Sequence, residues 1–257
     1  RKEPDDPTET PPYAELRESV PVYEDPGRCL DAVASTTEYA ADRARVTDRP
    51  SRGDLAAELG GPGVDLPRGR VLTWAEAAPL LDAYDVPTVE TRVATDPESA
   101  VDAAEAVGFP VVCKVDSPAL PHRSDAGAVA LGLDSPEAVR AAYAAVTDAA
   151  LAHVDADEIT GVLVQPMVDD GVESIVGVAP GDVFGSLVTV GPGGVLVEAL
   201  DETATLVPPF SRADARRAVE RTALADLLAD RRGADALPVE GLVDLLVNVG
   251  DLAASVD

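Results

Sequence analysis

Gly108-Phe-Pro-Val-Val-Cys-Lys-Val115 runs directly into Asp116-Ser-Pro-Ala-Leu-Pro-His-Arg-Ser-Asp-Ala-Gly127. The first stretch is apolar and β-branched apart from Lys114, the mark of a buried strand, and alternation sets Lys114 opposite Cys113 and Val115. The second is a polar loop broken by two prolines. Upstream, Asp96-Pro97-Glu98 starts a helix through Val107 that Gly108 ends. Downstream, Ala128 to Leu133 is a strand, Ser135-Pro136 caps a helix to about Leu151, and Gly161 to Val168 is a strand again. Further out, Thr73 with Glu76 three residues on forms a capping-box pattern ahead of Ala77, Leu80, Leu81 and Tyr84, with Pro79 in that helix, and Pro87 to Val93 reads as a strand. Beyond Val168 come three strand-like runs with little helix between them, Glu173 to Val178, Phe184 to Val190 and Val195 to Leu200. Helices near 211–230 and 238–255 follow. The fold class is α/β in the mixed α+β sense, with an antiparallel share.

Residues 1–12 are Pro, Glu, Asp and Thr with almost nothing to bury and are expected to be a disordered lead-in. Ser19-Val-Pro-Val-Tyr23 reads as a short strand, and Pro26 to Arg45 carries Leu30, Val33, Thr37 and Ala40 at helical spacing. One strand and one helix cannot bury a core by themselves. The Gly- and Pro-rich stretch 47–70 is a linker, so the expected organisation is a remnant over 13–46 followed by a main domain over 71–257.

The 257 residues include 47 acidic and 20 basic side chains, a net charge of -27. Such a surface repels nucleic-acid phosphates and anionic membranes, so neither is expected as a partner. Hydrophobic residues make up 46% of the chain, and the acids are scattered through periodic segments rather than blocked together. The expectation is therefore a folded protein with an acidic skin, adapted to a salty cytoplasm where short-range screening removes self-repulsion. Arginine supplies nearly all the positive charge, leaving Lys2 and Lys114 as the lysines. Cys29 and Cys113 make no disulfide framework, and Cys113 inside a strand reads as an inert buried thiol, which fits a reducing cytosol. No apolar run reaches the roughly 18 residues of a membrane span. The start at Arg1-Lys2 suggests a fragment.

Lys114, at a strand end entering the loop, can meet phosphate oxygens as a point charge. In the loop, His122 can accept a phosphoryl group through a neutral ring nitrogen, Arg123 complements phosphate charge, and Asp125 is placed to orient the ring. His153, at a helix end beside acids, reads as solvated. Gly193 and Gly194 in Gly191-Pro-Gly-Gly194 suit either an anion-binding nest or a tight hairpin. Glu173 and Glu198 lie in strands, where a carboxylate can meet ribose hydroxyls or magnesium or simply face solvent. Neither a zinc-type Cys/His cluster nor a G-x-x-x-x-G-K-[ST] loop is present.

Taken together, these segments resemble the ATP-grasp domain of ADP-forming acetate–CoA ligases and related acyl-CoA synthetases, from about residue 71 to the end. The motifs fall in order: Gly108 to Lys114, His122-Arg-Ser-Asp-Ala-Gly127, Gly161-Val-Leu-Val-Gln-Pro-Met-Val168, Gly171-Val-Glu-Ser-Ile-Val-Gly177, and Phe184-Gly185 leading to Gly191-Pro-Gly-Gly-Val-Leu-Val-Glu198. The resemblance implies an ATP-grasp fold of two subdomains, with Lys114 on the nucleotide phosphates, Gln165, Met167 and Val168 at the adenine largely through backbone groups, and Glu173 near the nucleotide. It implies that His122 sits on a mobile loop and carries phosphate between a CoA-proximal site and ATP or ADP, with magnesium as the metal and Glu198 its candidate ligand. The reaction implied is acyl-CoA plus ADP plus phosphate to acid, CoA and ATP.

Leu16-Arg-Glu-Ser-Val-Pro-Val-Tyr23 and the helix after it resemble the end of the family's preceding, flavodoxin-like CoA-ligase domain. On this reading the CoA site and a first phosphorylated histidine belong to another module or subunit, an oligomer is expected, and the chain alone is inactive. The family continues past Asp257 with a strand bearing an Asp and an Asn that help hold magnesium. Glu202, Leu206 and Pro166 depart from the family's usual Asp, Arg and Glu. The competing expectations are a regulatory ATP-grasp module of an acetyltransferase-fused or non-catalytic relative, and a scaffold keeping only the fold.

Overall fold

The computed structural model describes residues 25–47, 69–168, 171–194, 203–229 and 239–255. The expected lead-in 1–12, the strand 19–23, most of the linker and the strand 195–200 lie outside the described residues. The chain divides into two compact units, Arg1–Asp54 and Leu55–Asp257. In the first, α1 (Pro26–Thr47) forms where the helical spacing put it. Leu30 and Val33 on that helix are exposed.

The second unit opens with α2 (Trp74–Ala83), whose start is fixed by the pattern read in the sequence. The Glu76 carboxylate accepts from the Thr73 N–H at 3.0 Å and from both arms of the Arg70 guanidinium. The Arg70 bond first, and the Thr73 bond second, hold Glu76 down at about 2. A four-stranded sheet follows, made of β1 (Arg92–Ala94), β2 (Val111–Asp116), β3 (Val129–Leu133) and β4 (Gly161–Pro166), in the order β1-β4-β2-β3. Every pairing is antiparallel. The strand expected over 87–93 shrinks to β1, as suits a run that begins at a proline with no N–H for a ladder.

Two helices connect these strands, α3 (Pro97–Val107) between β1 and β2 and α4 (Pro136–Leu151) between β3 and β4. Asp96 caps α3 by accepting from the Glu98 and Ser99 N–H groups at 3.0 and 2.9 Å, and Ser135 caps α4. Both helices lie on one face, where Val101, Ala104, Val139 and Val146 join Val111, Cys113, Val115, Val162 and Val164 in a buried core. The strands flanking each helix are parallel to each other but separated by a third strand, so the alternation of strand and helix yields two interleaved split β-α-β units.

A second sheet, β5 (Ser174–Ala179), β6 (Leu187–Pro192) and β7 (Ala204–Leu206), is antiparallel in chain order. It packs against α5 (Arg212–Glu220), α6 (Leu224–Ala229) and α7 (Val239–Ser255) around Val188, Val190, Val219, Leu224, Val243 and Leu246. β6 begins three residues later than expected, because Gly181 N–H donates to Gly185 O at 3.0 Å and closes a turn over the intervening residues. The helix expected over 211–230 is two helices. Thr222 separates them: its hydroxyl donates to Val219 O at 2.9 Å and accepts from the Leu224 N–H at 3.3 Å, ending one helix and opening the next. Ion pairs from Arg212 and Arg216 to Glu240 tie α5 to α7. β7, too short to show periodicity, was not expected.

Candidate functional site

The helices cover one face of the first sheet, and by alternation Lys114 points to the other. Its partners across the ladder are Leu163 on β4 and Val129 on β3, while Gln165 pairs with Val112 two residues away. Lys114 and Gln165 are thus diagonal neighbours on one face, about 7 Å apart at the backbone. Lys114 also lines an open cleft of about 490 Å³ with Pro121, His122, Arg123, Ser124, Asp125, Val129 and Leu131. The cleft therefore gathers the strand lysine and the polar heart of the loop, as the sequence expected for Lys114, His122, Arg123 and Asp125.

The loop stands on its own backbone. His122, Ser124 and Arg123 carbonyls accept from the N–H groups of Ala126, Gly127 and Ala128 at 3.3, 3.1 and 2.9 Å. Gly127, at φ +69°, takes the left-handed turn that ends it. These bonds leave the side chains of His122, Ser124 and Asp125 turned outward and exposed. Among the described residues no hydrogen bond or ion pair joins Asp125 to the His122 ring, so the two share the cleft without the orienting contact anticipated for them.

Burial first, and the charge of Arg123 second, push the Lys114 ammonium below the ordinary lysine range. Two cations close enough to repel each other in a half-buried cleft form a place that an anion completes. Behind Lys114, burial pushes the Cys113 thiol up to about 11, which keeps it protonated and inert as expected.

One residue of the site was missed in the sequence. Asp116, only 2% exposed, accepts at Oδ2 from the Trp74 N–H at 2.9 Å and from the Thr160 hydroxyl at 2.9 Å, and at Oδ1 from Arg123 at 3.4 Å. Period-two alternation already placed it on the Lys114 face, and an acid ending an apolar strand was the available signal.

At the strand end, the Gln165 amide donates to the Thr91 hydroxyl at 2.8 Å, and the Met167 N–H donates to Pro110 O at 2.9 Å. The Met167 N–H is thus already used, leaving the Met167 carbonyl and the exposed Val168 as the outward groups of this segment. Glu173 lies just before β5 rather than within a strand, and it is exposed. Gly191 and Pro192 are strand residues, and the Gly193 N–H donates to Glu173 O at 2.7 Å. A hairpin from β6 into 195–200 falls outside the described residues; what is described at Gly193 is a close approach to the chain at Glu173. A Cβ there would sit 2.9 Å from the Glu173 backbone, so the glycine lets two chains approach rather than offering its N–H to phosphate. Gly194 takes φ +60° beside the Glu173 side chain. Glu198 lies outside the described residues, and among those described no group of three or more His, Cys, Asp or Glu could hold a metal. No helix is long and apolar enough to cross a membrane among the residues described.

The ATP-grasp domain family matches residues 67–257. The acetate–CoA ligase (ADP-forming) II subunit beta of Pyrococcus furiosus is 34% identical over 177 residues, covering 69% of this chain and 75% of that protein. Acetate–CoA ligase (ADP-forming) I of Archaeoglobus fulgidus is 31% identical over 248 residues, 93% of this chain but 35% of that longer protein. Among solved structures, a Ca. Korarchaeum cryptofilum dinucleotide forming acetyl-coenzyme A synthetase 1 matches at a TM-score of 0.60 and 31% identity, over 79% of this chain and 86% of that one. That protein is in complex with coenzyme A and Mg-AMPPCP, with its phosphohistidine segment pointing towards the nucleotide binding site.

Proposed function

This chain belongs to the ATP-grasp domain family and, within it, to the ADP-forming acetate–CoA ligases, and from that premise we propose that its cleft holds nucleotide phosphates on Lys114 and Arg123 while His122 relays a phosphoryl group. The chain is the nucleotide-binding part of a ligase. The reaction assigned is acyl-CoA plus ADP plus phosphate giving acid, CoA and ATP. The observation that carries the reading is the convergence of a half-buried lysine, an arginine and an exposed histidine on one cleft of about 490 Å³.

In the transfer step a neutral His122 ring nitrogen attacks the γ-phosphorus of ATP. The N–P bond forms as the P–O bond to the β-phosphate breaks, and ADP leaves with the electron pair. In the ATP-forming direction ADP takes the group back. Lys114 and Arg123 act as fixed cations against the spreading phosphate charge, and their half-buried setting strengthens them. Asp125, unbonded to the ring in the structure, meets it when the loop carries phosphate. Gln165 to Val168 frame the adenine, with the Met167 carbonyl as the backbone acceptor, and Glu173 stands by the ribose. The Gly193 N–H is taken by Glu173, which leaves the Gly194 N–H as the one of this pair to meet a phosphate.

Magnesium would arrive on the nucleotide, as in the Mg-AMPPCP complex of the archaeal relative, and spread phosphate charge there. Its candidate ligand from this chain is Glu198, outside the described residues. The partner is a subunit or module carrying the CoA site, in keeping with a relative that is itself a subunit beta. The same reading assigns the -27 charge to a high-salt cytoplasm and residues 13–46 to the end of that preceding module.

The test is phosphorylation. The whole chain, incubated with γ-labelled ATP and magnesium in molar KCl, is expected to take up an acid-labile, base-stable label. His122→Gln is expected to bind ATP as tightly and take up none. A label that persists in His122→Gln, or wild-type chain that binds ATP without labelling in either the presence or absence of its CoA-bearing partner, overturns the relay.

A further inference from the structure

Lys114 and Arg123 carry like charges into one cleft, and like charges in a half-buried site separate unless something holds them. Lys114 is fixed by the β2 ladder. Arg123 is on an exposed loop whose own bonds are all backbone to backbone, so its guanidinium needs an anchor from outside the loop. The anchor present is Asp116.

Asp116 is held from two sides. Its Oδ2 takes the first N–H of α2, from Trp74, and the hydroxyl of Thr160 at the entry to β4. Its main-chain carbonyl takes the Thr160 N–H at 2.8 Å and shares the single Thr160 hydroxyl proton with Oδ2. These bonds come from residues 42 and 44 positions away, so the carboxylate is fixed by two other elements before Arg123 reaches it. Oδ1 is then left facing the loop, and the Arg123 contact is single and long at 3.4 Å. The Arg123 Nε is buried without a partner. The guanidinium is therefore tethered at one point, with donors to spare.

We propose that Asp116 is a positioning residue that tethers Arg123 so that its free donors face the anion site beside Lys114, and that it thereby sets the resting place of the His122 loop. This rests on the reading of the cleft as an anion site, and goes beyond it in assigning a role to a residue that touches no substrate. The geometry supplies a selective test. An asparagine at 116 with its oxygen in the Oδ2 place keeps the Trp74 and Thr160 bonds, while its amide NH2 faces the Arg123 donors. Asp116→Asn cuts the tether and spares the frame; Asp116→Ala removes both and serves as the contrast.

Two readouts on the whole chain in molar KCl separate positioning from mere stability. The first is amide hydrogen exchange along 117–128 against that of β2 and α2. The second is carbethoxylation of His122 by diethyl pyrocarbonate, with His153 as internal reference, titrated with inorganic phosphate as protectant. For Asp116→Asn the expected results are a melting temperature close to wild type, loop exchange faster by about tenfold, and a phosphate concentration for half-protection raised about tenfold, the scale of one charge-assisted bond. Lys114→Ala is expected to weaken protection without loosening the loop. The proposal is overturned if Asp116→Asn leaves loop exchange at the wild-type rate, or if exchange rises equally in β2 and α2. Wild-type chain that phosphate does not protect, with a loop that Asp116→Asn still loosens selectively, supports the tether and removes the anion-site reading instead.

Discussion

Replacing Lys114 by alanine tests the cleft most directly, and the structure sets the size of the effect. The ammonium is half-buried on the sheet face shared with Gln165 and faces a second cation, Arg123. A phosphate oxygen in contact with it gains a charge-assisted bond of about 1.5–3 kcal/mol, below the roughly 4 kcal/mol of bare attraction at 4 Å and an effective dielectric of 20. Arg123 remains in the variant and takes part of the load, so a loss of about 2 kcal/mol is expected, near 30-fold in Kd. Calorimetry with ADP and with ATP, with magnesium at two KCl concentrations, measures it. The folded chain should not suffer, because the lysine is held below its ordinary range by burial and by Arg123, and removing it relieves both. Lys114→Ala is therefore expected to melt no lower than wild type. A Kd within threefold of wild type would refute the phosphate role, and a collapse in melting temperature would show that Lys114 serves the fold.

The lowered Lys114 pKa fixes the sign of two pH effects in the window below about pH 10. Nucleotide affinity falls as rising pH removes the proton, a limb that calorimetry should find missing in Lys114→Ala; the unfolded chain holds that proton more tightly, so this group alone makes stability rise with pH. In α7, a Cβ at Gly250 would meet Phe210 Cζ at 2.7 Å, and the Phe210 ring is buried. Gly250→Ala is accordingly expected to lose about 1–2 kcal/mol despite the better helix propensity, and a raised melting temperature would show that the ring yields. The -27 charge predicts a higher melting temperature by circular dichroism in molar KCl than in dilute buffer, and equal melting would remove the halophilic reading.

What could be read in advance was local. Asp96-Pro97 and Ser135-Pro136 cap the helices they announced, because a cap and its recipients lie within three residues. The Lys114 and His122 cleft was legible for a related reason, since one strand and its following loop carry both. The strand order was not, because β4 enters between β1 and β2 through pairings 45 to 72 residues apart that no window of sequence contains. Asp116 stayed hidden likewise: an acid at a strand end looks solvated until Trp74 and Thr160 close over it. The glycines after β6 show the opposite failure, since an N–H that looked free had a carbonyl waiting at Glu173.

The place of β4 in the first sheet also orders events in time. As the chain leaves the ribosome, β2 and β3 can pair as neighbours, but β1 pairs with β4 and must wait for Gly161–Pro166 to emerge. That last strand runs straight into Met167 and Val168, so the segment that closes the sheet is also the one proposed above to frame the adenine. Until it docks, Gln165 is not beside Lys114 and the face proposed for the nucleotide does not exist. A nascent chain stopped before Gly161 would carry the lysine and the histidine loop and still lack the sheet face that the proposed ATP site needs.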